Sequence, residues 1–463
     1  MKTFRLLPLA AALGAALTLP AQAQSLLELY ESARGYDATY QSARAQYEAN
    51  LARAEQAKAA LLPTVNLNAA ASRTSQETEV GGTTTERDID TRSTSISATQ
   101  PLYRPGNFAS YQQGQSQTEL AEAQLQAAEH DLIVRVSQAY FDVLASQDTL
   151  ASVQAQKTAV AEQLASARRN FEVGTATITD TREAQARYDL VIAQEIAAEN
   201  DLRVKKLALN QLVGRDSTTP YPLAPAAELP PLLPEDINAW VQQALEQHPS
   251  IRQARTALEV ARYETDKASA GHKPTLDLTA SHGITRYIGG SPVNPALTTD
   301  SRTTATTVGL QFNLPLFAGF ATQNRIKETL SLEEKARADL EAAQRGVTQG
   351  TRSAYLGVVS GQGQVKALQA AVASSQSALD ANKLGYQVGV RINIDVLNSQ
   401  SQLYQTQRDL SKARYDVLVG GLRLRQASGT LKAEDLQGVN ALLVPTPPAD
   451  APVAAPATPA QPR

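Results

Sequence analysis

This chain has four histidines and no cysteine to offer as soft metal ligands or for thiol chemistry. His130, His248, His272 and His282 are scattered without the spacing of metal ligands. The missing cysteine removes disulfides, cysteine metal sites and thiol catalysis together. Gly361-Gln362-Gly363 follows no strand pattern and lacks a third glycine in register, so it does not read as a nucleotide loop. No Gly-x-Ser-x-Gly elbow occurs. The chain is therefore read as a non-enzyme with no catalytic residue, cofactor or metal, and any ATP or proton energy has to come from partners. Polar groups gather instead at two short turns. One reads Phe171-Glu172-Val173-Gly174 and continues to Thr179-Asp180; the other reads Tyr386-Gln387-Val388-Gly389 and continues through Arg391 to Asp395 and Asn398. An arginine can form charge-assisted bonds to a carboxylate, and a tyrosine can donate another. Taken alone, such residues beside a turn are usually caps or solvated pairs, and each glycine is a helix C-cap.

The elements that must hold these turns occur twice. Phe171-Glu172-Val173-Gly174 aligns with Tyr386-Gln387-Val388-Gly389, and Ile178-Thr179-Asp180 with Asn393-Ile394-Asp395. At the same offset Gln185 meets Gln400, Asp201 meets Asp416 and Gly214 meets Gly429; upstream, Tyr140 and Val143 meet Tyr355 and Val358. Pro63-Thr64-Val65-Asn66-Leu67 resembles Pro274-Thr275-Leu276-Asp277-Leu278, and Pro101-Leu102-Tyr103 resembles Pro315-Leu316-Phe317. An ordered series of this kind marks a tandem duplication. The first repeat covers residues 24–219: a helix over 25–62, a β-hairpin over about 63–102, a long helix, a tip turn over about 172–178, and a helix. A Pro-rich linker over 220–235 precedes the second repeat, 236–443, with a helix over 236–272, a hairpin over about 274–316 and a tip turn over about 387–393. The Pro- and Ala-rich residues 444–463 read as a disordered tail.

Residues 107–170 contain no proline, and only Gly114 interrupts the helix formers. At 1.5 Å per residue, ~64 residues make a rod of about 95 Å. Leu132, Val136, Tyr140, Val143, Leu150 and Val153 supply a packing seam along it. The matching stretch, 322–384, carries Gly346, Gly350, Gly357, Gly361 and Gly363, which are expected to weaken its middle. With 5% aromatics and much alanine, a single thick core is not expected. The start of the chain reads as an export signal over residues 1–23, with Lys2 and Arg5, an apolar run and Ala21-Gln22-Ala23 as cleavage site. No later run is long and apolar enough for a spanning helix. The net charge of -3 gives no reason to expect a nucleic-acid partner.

Four segments alternate apolar and polar residues with the period of a strand: Val65 to Ala69, Ser95 to Leu102, Leu276 to Thr279, and Thr307 to Leu314. Taken from the flanking proline to the polar loop, each strand is expected to run about ten residues, the length a tilted strand needs to cross a membrane. Polar loops are expected between them over 73–92 and 285–302. Asn, Asp, Thr and Gln on the polar faces suit a watery lumen. Four strands cannot close a barrel, and open edges are not tolerated in lipid, so strands that span must be shared among several chains. A solvated coiled-coil rod or periplasmic adaptor without a pore is the alternative, and it explains the helices but not the repeated strands.

Repeat, paired hairpins, long helices and the two Val-Gly turns together resemble the TolC family of outer-membrane factors. The resemblance implies a mainly α protomer with a membrane β-barrel: a homotrimer whose twelve strands, four per chain, close a barrel continuous with a long helical periplasmic barrel. It implies outer-membrane lipid around the strands, a periplasmic extension, and export of drugs, small molecules or type I secreted proteins. It also implies two partners, a periplasmic membrane-fusion adaptor docking at the tip (Val173, Gly174, Val388 and Gly389) and an inner-membrane pump of ABC, RND or MFS type. By the same resemblance Tyr386 and Arg391 tie the closed mouth to Thr179 and Asp180. Asp395 matches one of two family aspartates that ring the constriction, whereas the second is Asn398 here.

Overall fold

The computed structural model describes residues 24–225, 227–290 and 298–444. The export signal and, apart from Val444, the tail lie outside the described residues, as does part of the second hairpin loop. In chain order the elements are α1 (Leu26–Tyr36), α2 (Ala38–Ala59), β1 (Thr64–Val80), β2 (Thr83–Tyr103), α3 (Pro105–Glu172) and α4 (Ile178–Val213). The second half repeats them as α5 (Ile237–Gln247), α6 (Pro249–Ser269), β3 (Thr275–Ile288), β4 (Ser301–Asn313), α7 (Ala321–Gln387) and α8 (Asn393–Ala427), followed by a short α9 (Asp435–Asn440). Contacts divide the chain into two compact units. One draws on the described parts of Met1–Ala43, Gln126–Pro249 and Arg345–Arg463; the other comprises Arg44–Leu125 and Ser250–Gln344.

The second of these units contains one antiparallel sheet of four strands in the order β1-β2-β3-β4. The strands are 17, 21, 14 and 13 residues long, well beyond the ten expected. The polar loop expected over 73–92 is strand: β1 and β2 stay paired to Val80↔Thr83, and only Gly81 and Gly82 turn. Both glycines have positive φ (62° and 82°), as a two-residue turn matched to strand twist requires. Thr favours extended backbone and pairs well with Thr and Ser across strands, so pairing continues where apolar alternation stops. The 285–302 loop is shorter too, since β3 reaches Ile288 and β4 begins at Ser301.

The other unit is helical. Tyr140 and Phe141 on α3 meet edge to face with ring centroids 5.5 Å apart, and Phe141 stacks on Tyr415 of α8 at 5.6 Å. The Tyr140 hydroxyl donates to the Tyr221 carbonyl at 2.9 Å, and its repeat mate Tyr355 donates to the Glu235 carbonyl, so both tyrosines fasten the inter-repeat linker. The linker also holds both ends of the described chain. Gln24 bridges to Pro220, Leu223 bridges to Leu443, and the Val444 amide reaches the Pro222 carbonyl at 2.9 Å.

Two helix expectations need correction. Residues 25–62 and 236–272 are not single helices, because each breaks after its eleventh helical residue, at Asp37 and at His248. His248 precedes Pro249, whose ring disfavours the helical region for the residue before it. Asp37 instead caps α2, its carboxylate accepting from the Tyr40 amide at 2.8 Å, and Arg135 grips the same carboxylate at 3.0 and 3.1 Å. The glycines of α7 do not interrupt it either; the helix runs unbroken for 67 residues. Packing against α8 carries it through Val358 with Leu424, Val365 with Ala413 and Val417, and Leu379 with Val396 and Leu403. A Cβ on Gly361 would lie 2.8 Å from Val417 Cγ2, so here glycine lets the helices approach.

Candidate functional site

The sheet has one apolar and one polar face. Directly opposed residues of antiparallel strands share a face. Register therefore places Val65 beside Ala98 and Ala280, Leu67 beside Ile96, Leu278 beside Leu310, and Leu276 beside Phe312. These side chains are uncovered in a single chain: Leu67 is 74% and Leu310 67% exposed. The opposite face carries Asn66 with Ser97, Asn68 with Ser95, Thr99 with Thr279, and Asp277 with Gln311. Asp277 is buried there by a bidentate pair with Arg104, at 2.8 and 2.5 Å. Strands β1 and β4 each have a neighbour on one side only. An apolar outer face, a polar inner face and two unpaired edges form a segment of barrel wall rather than a closed barrel.

The two tip turns lie in the helical unit and share one backbone pattern. In the first, the Thr175 and Ala176 amides both donate to the Asn170 carbonyl, at 2.8 and 3.1 Å. In the second, Val390 and Arg391 donate to the Gly385 carbonyl at 2.9 and 3.1 Å. Gly174 and Gly389 take φ of 78° and 80°. Val173, Val388, Val390 and Ile392 stand out into solvent, Val390 being 76% exposed.

The side chains differ between the turns. Thr177 caps α4 in a reciprocal box: its hydroxyl accepts from the Asp180 amide at 3.2 Å, while Asp180 accepts from the Thr177 amide and hydroxyl at 3.0 and 2.8 Å. The equivalent cap of α8 is Ile392, which has no side-chain hydrogen bond. Asn393 is fully buried instead, meeting Gln163 and reaching the Asp180 carbonyl at 3.5 Å. The Tyr386 hydroxyl accepts from Asn170 at 3.2 Å, and Arg391 pairs with Asp395 at 3.6 Å. Asn398 accepts from Arg187 at 2.7 Å.

Of the residues read from sequence, Asp180 and Thr179 sit at the start of α4, Tyr386 and Arg391 at the second turn, and Asp395 and Asn398 on the first turns of α8. Among the described residues no side-chain bond joins Tyr386 or Arg391 to Thr179 or Asp180. Sequence reasoning missed Asn170, Gly385, Arg187 and Asn393. Asn170 and Gly385 were findable, because they match at the repeat offset and supply the carbonyl that closes each turn. No metal-ligand group and no apolar spanning helix occurs among the described residues.

The sequence pattern of the outer membrane efflux protein family matches residues 29–215 and 240–430, one block in each repeat. The chain is 34% identical over 441 residues to outer membrane protein TolC of Vibrio cholerae, covering 94% of this chain and 98% of that one. It is 33% identical to the alkaline protease secretion protein AprF of Pseudomonas aeruginosa, covering 91% and 88%. The fold is similar to that of the outer membrane protein VceC of Vibrio cholerae, with TM-score 0.75 and 20% identity over 87% of this chain and 96% of that one. The Campylobacter jejuni CmeC outer membrane channel gives TM-score 0.75 at 16% identity over 90% of each chain. These relatives are transport channels rather than enzymes, and a poreless rod is not favoured. The chain belongs to the outer membrane efflux protein family, and it is an outer-membrane conduit with a periplasmic extension.

Proposed function

We propose that three copies of this chain close one twelve-stranded barrel and that the tip turns form its periplasmic mouth, gated by contacts between the turns. The single observation that carries this is a four-stranded sheet with opposite faces and two unpaired edges. In lipid each unpaired backbone group costs several kcal/mol, so sister copies have to supply the missing neighbours. Three such sheets give an even, closed barrel wide enough for a lumen.

In the closed mouth Tyr386 and Arg391 bind Thr179 and Asp180. Closing then exchanges partners: Asp180 leaves its cap on Thr177, and Arg391 leaves Asp395. Both exchanges replace exposed pairs by others of similar strength, which suits a gate that must open at low cost. Asp395 contributes one carboxylate per copy to the constriction, while the neutral Asn398 lies on Arg187, so the ring is only weakly negative. The exposed Val173-Gly174 and Val388-Gly389 turns present the surface for a periplasmic adaptor, and an inner-membrane pump of ABC, RND or MFS type supplies the energy. A relative named for protease secretion and a family named for efflux support cargo of either class, small molecules or type I secreted proteins.

Single-channel conductance in planar bilayers tests the gate. Arg391→Ser together with Tyr386→Phe should raise closed-state conductance several-fold, as loss of two latch bonds of about 1 kcal/mol each implies. Unchanged conductance sinks the latch. Recovery of the wild type as a lipid-free monomer sinks the shared barrel.

A further inference from the structure

The apolar face of the sheet ends at a row of arginines. From Leu276 and Phe312 as far as the row Ala69, Thr94, Ile284 and Thr304, this face carries no carboxylate, arginine or lysine. Its titratable side chains are Tyr103, opposite Leu276, and His282, which lies 2.7 Å from the Thr306 hydroxyl. The next row toward the hairpin turns is Ala71, Arg92, Arg286 and Arg302, directly opposite one another across the four strands. All three arginines are exposed, and none makes a salt bridge with a described residue. The acid of the following row, Asp90, is already gripped by Arg73 at 2.6 and 2.9 Å.

Like charges placed directly opposite in a sheet are destabilising. Among the described residues the only carboxylate acting on the row is Asp90, already paired with Arg73 and felt by Arg92 alone. The three adjacent guanidinium groups therefore call for a further counter-charge from outside the chain. The level of the row says where that charge lies. Leu276 and Arg286 are ten residues apart on β3. At ~3.3 Å per residue and a tilt of about 40°, that is about 25 Å of barrel height, the height of an outer-membrane apolar band. The row therefore stands where hydrocarbon gives way to headgroups, on the outward face and at the hairpin end of the strands, away from the helices that enter at the other end. Arginine is the side chain best suited to phosphate, because its planar fork donates two parallel bonds to two oxygens.

We infer that Arg92, Arg286 and Arg302 form a docking row for the phosphate groups of the phosphorylated glycolipid that fills the outer leaflet of a Gram-negative outer membrane. The inference rests on the channel reading above. The guanidinium groups take the phosphates from the outward face, and the Thr94 and Thr304 hydroxyls one row below lie beside the sugar. The lumen is untouched, because the opposite face of these strands lines it.

The test counts retained lipid by native mass spectrometry on detergent-purified protein, wild type and R92Q/R286Q/R302Q, with conductance of the same preparations recorded in planar bilayers. The probes are bis-phosphorylated lipid A, its dephosphorylated form and inorganic phosphate. Wild type should retain bis-phosphorylated lipid A at least ~10-fold better than the triple variant, as loss of charge-assisted bonds implies. Dephosphorylated lipid should be retained poorly by both, and millimolar inorganic phosphate should not displace the lipid. Equal retention by wild type and variant, equal retention of the dephosphorylated lipid, or displacement by inorganic phosphate each overturns the inference. Normal conductance alongside any of these leaves the channel reading standing; lipid retained by a wild type that does not conduct sinks that reading instead. Should the triple variant not fold, R286Q alone, at the centre of the row, decides by the same count: a drop in retention supports the row, and no drop overturns it.

Discussion

The two repeats use one backbone with different side chains at the same joints. Both tip turns close on a shared carbonyl five residues upstream, yet the first is sealed by a reciprocal Thr177–Asp180 box and the second ends on Ile392 with no side-chain cap. Both short helices break after eleven residues, but the first break holds a carboxylate gripped by Arg135 and the second an imidazole in front of a proline. Gly214 and Gly429 stand at matched positions beside these breaks, with φ of 69° and 73°. Duplication therefore preserved the geometry that hydrogen bonds dictate, while side chains diverged wherever several groups could satisfy the same backbone. The second tip is instead held by contacts to other helices, Asn393 to Gln163 and Tyr386 to Asn170.

The largest contrast should come from the paired glycines. A Cβ on Gly429 would lie 2.5 Å from His248 Cα and 2.7 Å from its amide nitrogen, which are backbone atoms that cannot swing away. A Cβ on Gly214 would lie 2.4 Å from the Tyr36 ring, but that ring is 61% exposed and free to rotate outward. Gly429→Ala should cost about 3 kcal/mol and Gly214→Ala about 1 kcal/mol, the strain of positive φ being common to both. Thermal unfolding of the two variants checks this, and equal losses would break the comparison.

Next come the caps. Thr177→Ala should cost about 1 kcal/mol at the first tip, read as roughly fivefold faster amide exchange over the first turn of α4. Ile392→Thr should do the reverse at the second tip, slowing exchange at the start of α8. If the first tip already exchanges as fast as the second in the wild type, the proposed asymmetry is wrong.

The smallest effect separates the breaks by pH. Burial holds the His248 imidazole below its ordinary 6.5, and the neighbouring His130 lowers it further. His130 is itself lowered by burial, against the opposing pull of Glu129, the Leu431 backbone and Asp435. A group whose folded pKa is depressed takes up its proton first in the unfolded chain. The stability tied to these imidazoles is therefore intact above about pH 6.5 and is lost as pH falls below it. At the first break, hydrogen bonding from Arg135 holds the Asp37 carboxyl below its ordinary 3.8, with burial opposing. Its contribution survives until pH falls below the ordinary carboxylate range. Between about pH 7.5 and about pH 5, protection of the amides relative to their intrinsic exchange rate should therefore fall around His248 but not around Asp37. His248→Asn should flatten the difference.

Much of the fold was legible because duplication wrote it twice, and because period-two alternation is visible wherever one strand face meets lipid. The outer halves of β1 and β2 were misread as loop because apolar alternation stops well before the pairing does; Gly81-Gly82 was the better guide, since only the turn itself needs positive φ. The break at His248 was signalled by Pro249, whereas that at Asp37 depends on Arg135, nearly one hundred residues away, and was invisible. At the tips, residue types and offsets located both turns. Which side chain meets which was out of reach, because Asn170, Arg187, Asn393 and Gln163 arrive from helices far apart in sequence.

By itself the sequence determined the duplication, the long helices, the amphipathic strands and the absence of thiol chemistry, all of which follow from local periodicity and residue type. Only the tertiary structure decided the register, and with it the grouping of Arg92, Arg286 and Arg302 into one row. Register is a relation between strands: a shift of one residue would turn every side chain to the other face, and nothing within a single strand states which neighbour it meets.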